Sequence, residues 1–230
     1  MARRRTLLLG AAALLAMPAA ILAQVPPSPA EIAAYAGLHA AAARGDVAAI
    51  ERLAAAGAAV DARDGNGRTP LHVATFAGQR GAIRALTRAG ADPAALDHDR
   101  YDAVTIAAVA DDEATLRLLL TLGASAKLVT SRYDGTALIA AAHLGHDAVV
   151  RALIAAGAPL DHVNNLGWTA LMESIVLGNG GKNHTETLEA LVKADANVNI
   201  TDRQGVTPLG HAKSRGYSEI ARVLEAAGAR

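Results

Sequence analysis

Residues Gly67 to Asp92 read GRTPLHVATFAGQRGAIRALTRAGAD, and the same sentence returns along the chain. Gly135 to Pro159 reads GTALIAAAHLGHDAVVRALIAAGAP, Gly167 to Gly178 reads GWTALMESIVLG, and Gly205 to Ala229 reads GVTPLGHAKSRGYSEIARVLEAAGA. An anchoring leucine, once a valine, falls at Leu38, Leu71, Val104, Leu138, Leu171 and Leu209, in steps of 33, 33, 34, 33 and 38 residues. A period this regular means stacked supersecondary units, none of which can bury its apolar side alone.

The positions inside a unit have local physical reasons. A threonine such as Thr69 can cap an orphan amide at the start of a helix. The proline after it, Pro70, is pre-set for a first helical turn. A mid-unit glycine (Gly45, Gly78, Gly145, Gly178, Gly216) ends this first helix, because a left-handed residue costs little without a Cβ. Apolar residues then recur at helical spacing, as in Val149, Val150, Leu153 and Ile154, predicting a second helix that stops at a glycine such as Gly157. The stretch from Asp161 to Gly167 is turn-rich and is expected to form a hairpin reaching to the next unit.

The T-P-L-H run from Thr69 to His72, the G-x-T-x-L pattern, the mid-unit glycine and the closing Gly-Ala together resemble the ankyrin repeat family. The resemblance covers six units, about 28–63, 64–96, 97–129, 130–163, 164–201 and 202–230. It implies an all-α fold: an ankyrin-repeat solenoid of stacked helix–turn–helix units with short β-hairpin loops. Two units depart from the pattern. The third carries Arg100 and Asp102 where the family has glycine and threonine, and Asp111 in place of the mid-unit glycine. The fifth carries five extra residues around Asn179 to Thr185, read as a mobile loop, and has Asp195 where other units end in glycine.

The first 23 residues are a different object. Arg3, Arg4 and Arg5 precede an apolar run from Leu7 to Leu22, and Ala23 before Gln24 is a fair cleavage point. This reads as a secretory signal peptide, followed by a proline-rich linker over 24–27. Arg4-Arg5-Thr6-Leu7-Leu8 also fits the twin-arginine pattern loosely, so both export routes stay open. Against an uncleaved anchor, Pro18 breaks the run, which is short of the ~20 residues a spanning helix needs. A periplasmic or secreted protein is expected, without stable membrane insertion after cleavage. Ser28-Pro29-Ala30-Glu31 forms a capping box, predicting a helix from Pro29 to about Ala43.

Charge and composition remove several function classes. The chain balances 22 basic against 22 acidic residues, and without the three leader arginines the balance is mildly negative. A nucleic-acid binder would show a basic excess. With no cysteine there are no disulfides, no thiol catalysis and no cysteine-ligated zinc. No G-x-S-x-G, H-E-x-x-H or phosphate loop occurs. His72 and His146 stand where the resemblance implies structural roles, and no metal or other cofactor is expected. Asp111, Asp112 and Glu113 fall at a turn between helices and are expected to be solvated helix-start carboxylates. The rival to a binding role is a metal-dependent or hydrolytic enzyme using the chain's eight histidines, His143 and His146 three residues apart among them, and this acidic turn.

The chain has six aromatics: Tyr35, Phe76, Tyr101, Tyr133, Trp168 and Tyr217. Tyr101 and Trp168 hold the same repeat position, just before the first helix of their units. Tyr133 lies beside it, and Phe76 ends a first helix. In the ankyrin family such positions tend to form the partner-facing surface of hairpin tips and inner helices. The resemblance therefore implies a partner-binding face of Phe76, Tyr101, Tyr133 and Trp168, with Asn66, Arg68 and Leu166 at the tips. The expected role is non-catalytic: a monomeric scaffold binding another protein through a pre-ordered concave face.

Overall fold

A computed structural model describes residues 24–230. The leader lies outside the described residues. The remainder is six helix pairs in a row, preceded by the short helix α1, Pro29–Ala34. The pairs are α2 Gly37–Arg44 with α3 Val47–Ala55, α4 Pro70–Phe76 with α5 Arg80–Arg88, and α6 Ala103–Val109 with α7 Glu113–Thr121. Then follow α8 Ala137–Leu144 with α9 Asp147–Ala155, α10 Ala170–Val176 with α11 Lys182–Lys193, and α12 Pro208–Ser214 with α13 Ser218–Ala226. The first helices stack on one another in an inner row and the second helices in an outer row, each touching its neighbours in the series. The periodic anchors Leu38, Leu71, Val104, Leu138, Leu171 and Leu209 are all buried in one core that runs the length of the stack.

The caps form as expected. Thr69, Thr136, Thr169 and Thr207 each accept an amide hydrogen bond three residues on. Asp102, replacing threonine, does the same for Thr105 at 2.8 Å. The His72 side chain closes the capping box with Thr69 and reaches the carbonyl of Ala95 in the next hairpin at 2.9 Å. Burial pushes this imidazole down to about 4, so at neutral pH it is uncharged. Nδ1 then accepts from the Thr69 amide and Nε2–H donates to Ala95. His146 likewise bonds the carbonyl of Ala108 one unit back. Asp112 caps α7, and Glu113 pairs with Arg117 one turn along it, so the acidic run is a helix start.

Three expectations need correction. The helix expected from Pro29 to Ala43 is two helices: Tyr35 and Ala36 are extended, and α2 begins at Gly37 in register with Pro70. The break lets the Tyr35 hydroxyl donate to Asp64 of the next hairpin at 2.6 Å. The fifth-unit insertion is not a loose loop, because most of it lengthens α11 to twelve residues. Its glycine-rich entry is tied down by Asn179 to His184 at 3.1 Å and by the Tyr217 hydroxyl to the Gly178 carbonyl at 2.9 Å. Gly178 itself is not left-handed. It is required by close approach, since a Cβ there would lie 1.9 Å from the Ser174 carbonyl oxygen.

The fourth unit differs from the others in its hairpin. From the end of α7 to the start of α8 there is one residue more than in the other inter-unit connections, the source of the single 34-residue step. Here alone among the described residues a β-ladder forms: β1 Val129–Thr130 runs antiparallel to β2 Gly135–Thr136, with Val129 opposite Thr136 and Thr130 opposite Gly135. Ser131 (φ 62°) and Asp134 (φ 51°) turn the chain between them. The neighbouring third unit is strained as well, with Arg100 at φ 65° and Asp111 at φ 54°. Side chains in this region cost roughly 1–2 kcal/mol each, less for aspartate.

Strain at both turns of one unit lowers that unit's stability within a nearest-neighbour array. Hydrogen exchange should therefore be faster over 97–112 than over 135–157. Replacing Arg100 by glycine should relieve about 1 kcal/mol and raise protection in the first segment. Equal protection of both segments, unmoved by Arg100→Gly, would contradict this account.

Candidate functional site

The hairpins join tip to tip into one edge. The His98 amide bonds Asn66 O at 3.0 Å, the Ser131 amide bonds Arg100 O at 2.8 Å, and the Asn165 amide bonds Tyr133 O at 2.9 Å. Ion pairs link the same tips: Arg100 with Asp134 at 3.7 Å, and Arg132 with Asp99. This edge and the adjoining inner helices hold all seven residues singled out from the sequence, but not in equal condition.

Asn66 and Arg68 are already engaged. Arg68 is 2% exposed, its Nε pairing with Asp64 at 2.9 Å and its guanidinium also with Glu31 of α1. Asn66 Nδ2 donates to the same Glu31 carboxylate at 2.7 Å. Burial alone would raise the Asp64 carboxyl, but bonds from Tyr35, Arg68 and Asn66 outweigh it and hold the group below its ordinary range. The second hairpin is thus clasped by the chain's own N-terminal helix. Its Arg68, expected as a partner contact, is a structural ion-pair centre. The sequence signal was there: the capping-box Glu31 lies one repeat length from the hairpin it grips.

Phe76, Tyr133, Trp168 and Leu166 are half-buried, while Tyr101 is buried at 7% exposure. Tyr101 and Tyr133 meet at a cavity between the third, fourth and fifth units. Its walls include Thr105 and Val109 of α6, Ile139, Ala140 and His143 of α8, and Glu173 of α10. Burial, with Asp99 and Asp97 nearby, pushes the Tyr101 phenol up to about 12. Phe76 and Trp168 do not line this cavity.

Glu173 was not anticipated. It occupies the inner-helix position held by Val73, Ile106 and Ala140 in preceding units, and it is 2% exposed. One carboxylate oxygen accepts from Asn164 Nδ2 at 2.7 Å. The other stands 3.2 Å from His143 Nδ1, near enough for an ion pair, yet neither atom has a partner in hydrogen-bond geometry. The sixth unit repeats the pairing differently: His211 at the Glu173 position meets Asp202 at 2.7 Å. A carboxylate at a position that is apolar in the four preceding units was the available sequence signal. Among the described residues, no three histidine, aspartate or glutamate side chains converge as a metal site would need.

Comparison with known proteins agrees with this geometry. Two family models of ankyrin repeats match, one describing three copies over residues 104–202 and one describing many copies over residues 38–87. The Escherichia coli (strain K12) protein YahD is 39% identical over 100 residues, 43% of this chain; the matched region spans half the length of that relative. The crystal structure of an ankyrin repeat domain from Acinetobacter baumannii AYE is 47% identical, with a TM-score of 0.79 over 84% of this chain and 98% of that one. The ankyrin repeat domain of Bcl-3, a member of the IkappaB family, is 30% identical, with a TM-score of 0.76 over 85% and 87% of the two chains. The chain belongs to the ankyrin repeat family, whose domains generally act as non-enzymatic protein-interaction scaffolds.

Removing Arg68 would leave Asp64 and Glu31 facing each other without their shared cation. Arg68→Ala is expected to cost about 3 kcal/mol, the low end for breaking a buried pair because Glu31 is partly solvated. Asn66→Ala, at an exposed site, should stay within about 1 kcal/mol. Denaturant midpoints of the two variants measure the difference; equal small losses would show that the clasp contributes little.

Proposed function

We propose that this chain is an exported, non-catalytic scaffold that binds a partner protein along its hairpin edge and inner helices. One observation carries the reading: Phe76, Tyr133 and Trp168 remain half-exposed on that edge while the periodic aliphatic positions are buried. Large rings left at a surface are the usual anchors of a protein interface. The rigid stack orders them in advance, so docking loses little conformational entropy. The enzyme alternative finds less support, because most of the eight histidines, His39 with the Arg68 carbonyl among them, are spent on backbone carbonyls. His72 reaches Ala95, His146 reaches Ala108, His162 reaches Asp134 and His184 reaches His143.

Export rests on the leader. Among the described residues no helix is long and apolar enough to cross a membrane. Mass spectrometry of fractionated cells should find a mature N-terminus near Gln24 outside the cytoplasm, and a full-length cytosolic chain would sink this part of the reading. Replacement of Arg4 and Arg5 by lysine should block export only on the twin-arginine route.

The aromatic face is tested at Trp168. If it is an anchor, Trp168→Ala should weaken partner binding by about 2 kcal/mol or more. The stability loss should stay well under the about 3–5 kcal/mol of a truncated core aromatic. A large stability loss with unchanged affinity per folded molecule would end the hypothesis.

A further inference from the structure

We infer that the cavity between the third, fourth and fifth units is a receptor for a lysine side chain of the partner protein. The inference rests on the scaffold reading and names the chemistry that the scaffold would select. Its floor is the Glu173 carboxylate, buried and held from one side by Asn164. The free oxygen and the neighbouring His143 Nδ1 both lack a hydrogen-bond partner. In the tautomer with the proton on Nε2, two buried acceptors 3.2 Å apart face each other unsatisfied, and one group carrying several N–H donors satisfies both at once. An ammonium has three such donors. His143 accepts at Nδ1 when its other ring nitrogen carries the proton.

Size and charge narrow the choice. The cavity offers about 20 Å³ to a water-sized group. A water needs about 10–15 Å³ on that measure, so the space suits a compact ammonium head better than the broader planar guanidinium. Above the floor the walls are largely apolar, with Val109, Ile139 and Leu144 suited to a methylene stem, and Tyr101 and Tyr133 stand beside them. Tyrosine rings attract a nearby cation. The arginines closest along the edge are already committed, Arg100 to Asp134 and Arg132 to Asp99, so Glu173 gets no strong cation from them.

The site is built by departures from the repeat. Ala140 leaves open the space that Val73 and Ile106 fill in earlier units. The one-residue-longer hairpin supplies Thr130, Ser131 and Tyr133 to its lining. Four of the five non-glycine residues with left-handed backbone among the described residues, Arg100, Asp111, Ser131 and Asp134, belong to the two units around it. Concentrated strain of this kind is retained where surrounding structure holds it, and it clusters at binding sites.

The test uses the mature protein and three small probes: n-butylammonium, n-butanol and n-butylguanidinium. In amide chemical-shift titrations, butylammonium should shift Tyr101, Tyr133, His143 and Glu173 and saturate in roughly the millimolar range expected of so small a ligand. It should bind about tenfold more tightly than either comparison probe, a difference of about 1.4 kcal/mol. Glu173→Gln should abolish its advantage over butanol. Should that variant fold poorly, Ala140→Ile fills the cavity with the residue found at position 106 and should remove ammonium binding with the carboxylate intact. No saturable shifts at these residues, equal binding of butanol, or undiminished ammonium binding to Ala140→Ile would overturn the assignment. Failure here with Trp168→Ala still weakening a partner leaves the scaffold standing; the converse leaves the cavity standing.

Discussion

Everything in this molecule depends on one packing constraint: no helix pair can bury its own apolar side. Each pair has a short inner helix and a slightly longer outer helix, and its anchoring leucine is covered only when the next pair stacks upon it. Alanine makes this possible. Ala42, Ala74, Ala108, Ala142 and Ala212 are all essentially inaccessible, and their small side chains let neighbouring helices approach closely. The hydrogen bonds between units, such as His72 to Ala95 and His146 to Ala108, fix register once packing has brought the units together.

The stack needs an end, and the N-terminal solution is electrostatic as well as apolar. Helix α1 stands where a preceding hairpin would be, and Glu31 holds Arg68 and Asn66 of the second unit. Most of α1 is solvent-exposed, so its place is held largely by this carboxylate, with Tyr35 bonding Asp64. The clasp fills the edge of the second unit. Tyr101, Tyr133, Trp168 and the cavity lie beyond it, in units three to five.

The repeat made the fold legible because its signals are local. Threonine caps, glycine stops and apolar helical spacing each act within a few residues and recur at a fixed period, so units, helix order and core positions could be read directly. What could not be read arises between units. The break at Tyr35 serves a contact with Asp64, 29 residues away. The ordering of the fifth-unit insertion comes from Tyr217 of the following unit. Arg68 appeared as a surface residue at a tip, and its burial depends on α1 folding back onto it. Tyr101 and Tyr133, singled out together from the sequence, line one cavity, but Glu173 and Asn164 enter it from the next unit.

Departures from a repeat carry the information that the repeat itself cannot. A unit matching the common pattern is explained by stacking alone, and its residues say nothing about what this chain binds. At Arg100, Asp111, Ser131 and Asp134 the backbone keeps its left-handed turns without glycine, accepting a cost that glycine would avoid. At Glu173 a position apolar in the four preceding units carries a carboxylate, and Ala140 stands where Val73 and Ile106 are branched. These positions fall within three adjacent units, and Ser131, Ala140 and Glu173 among them line one cavity.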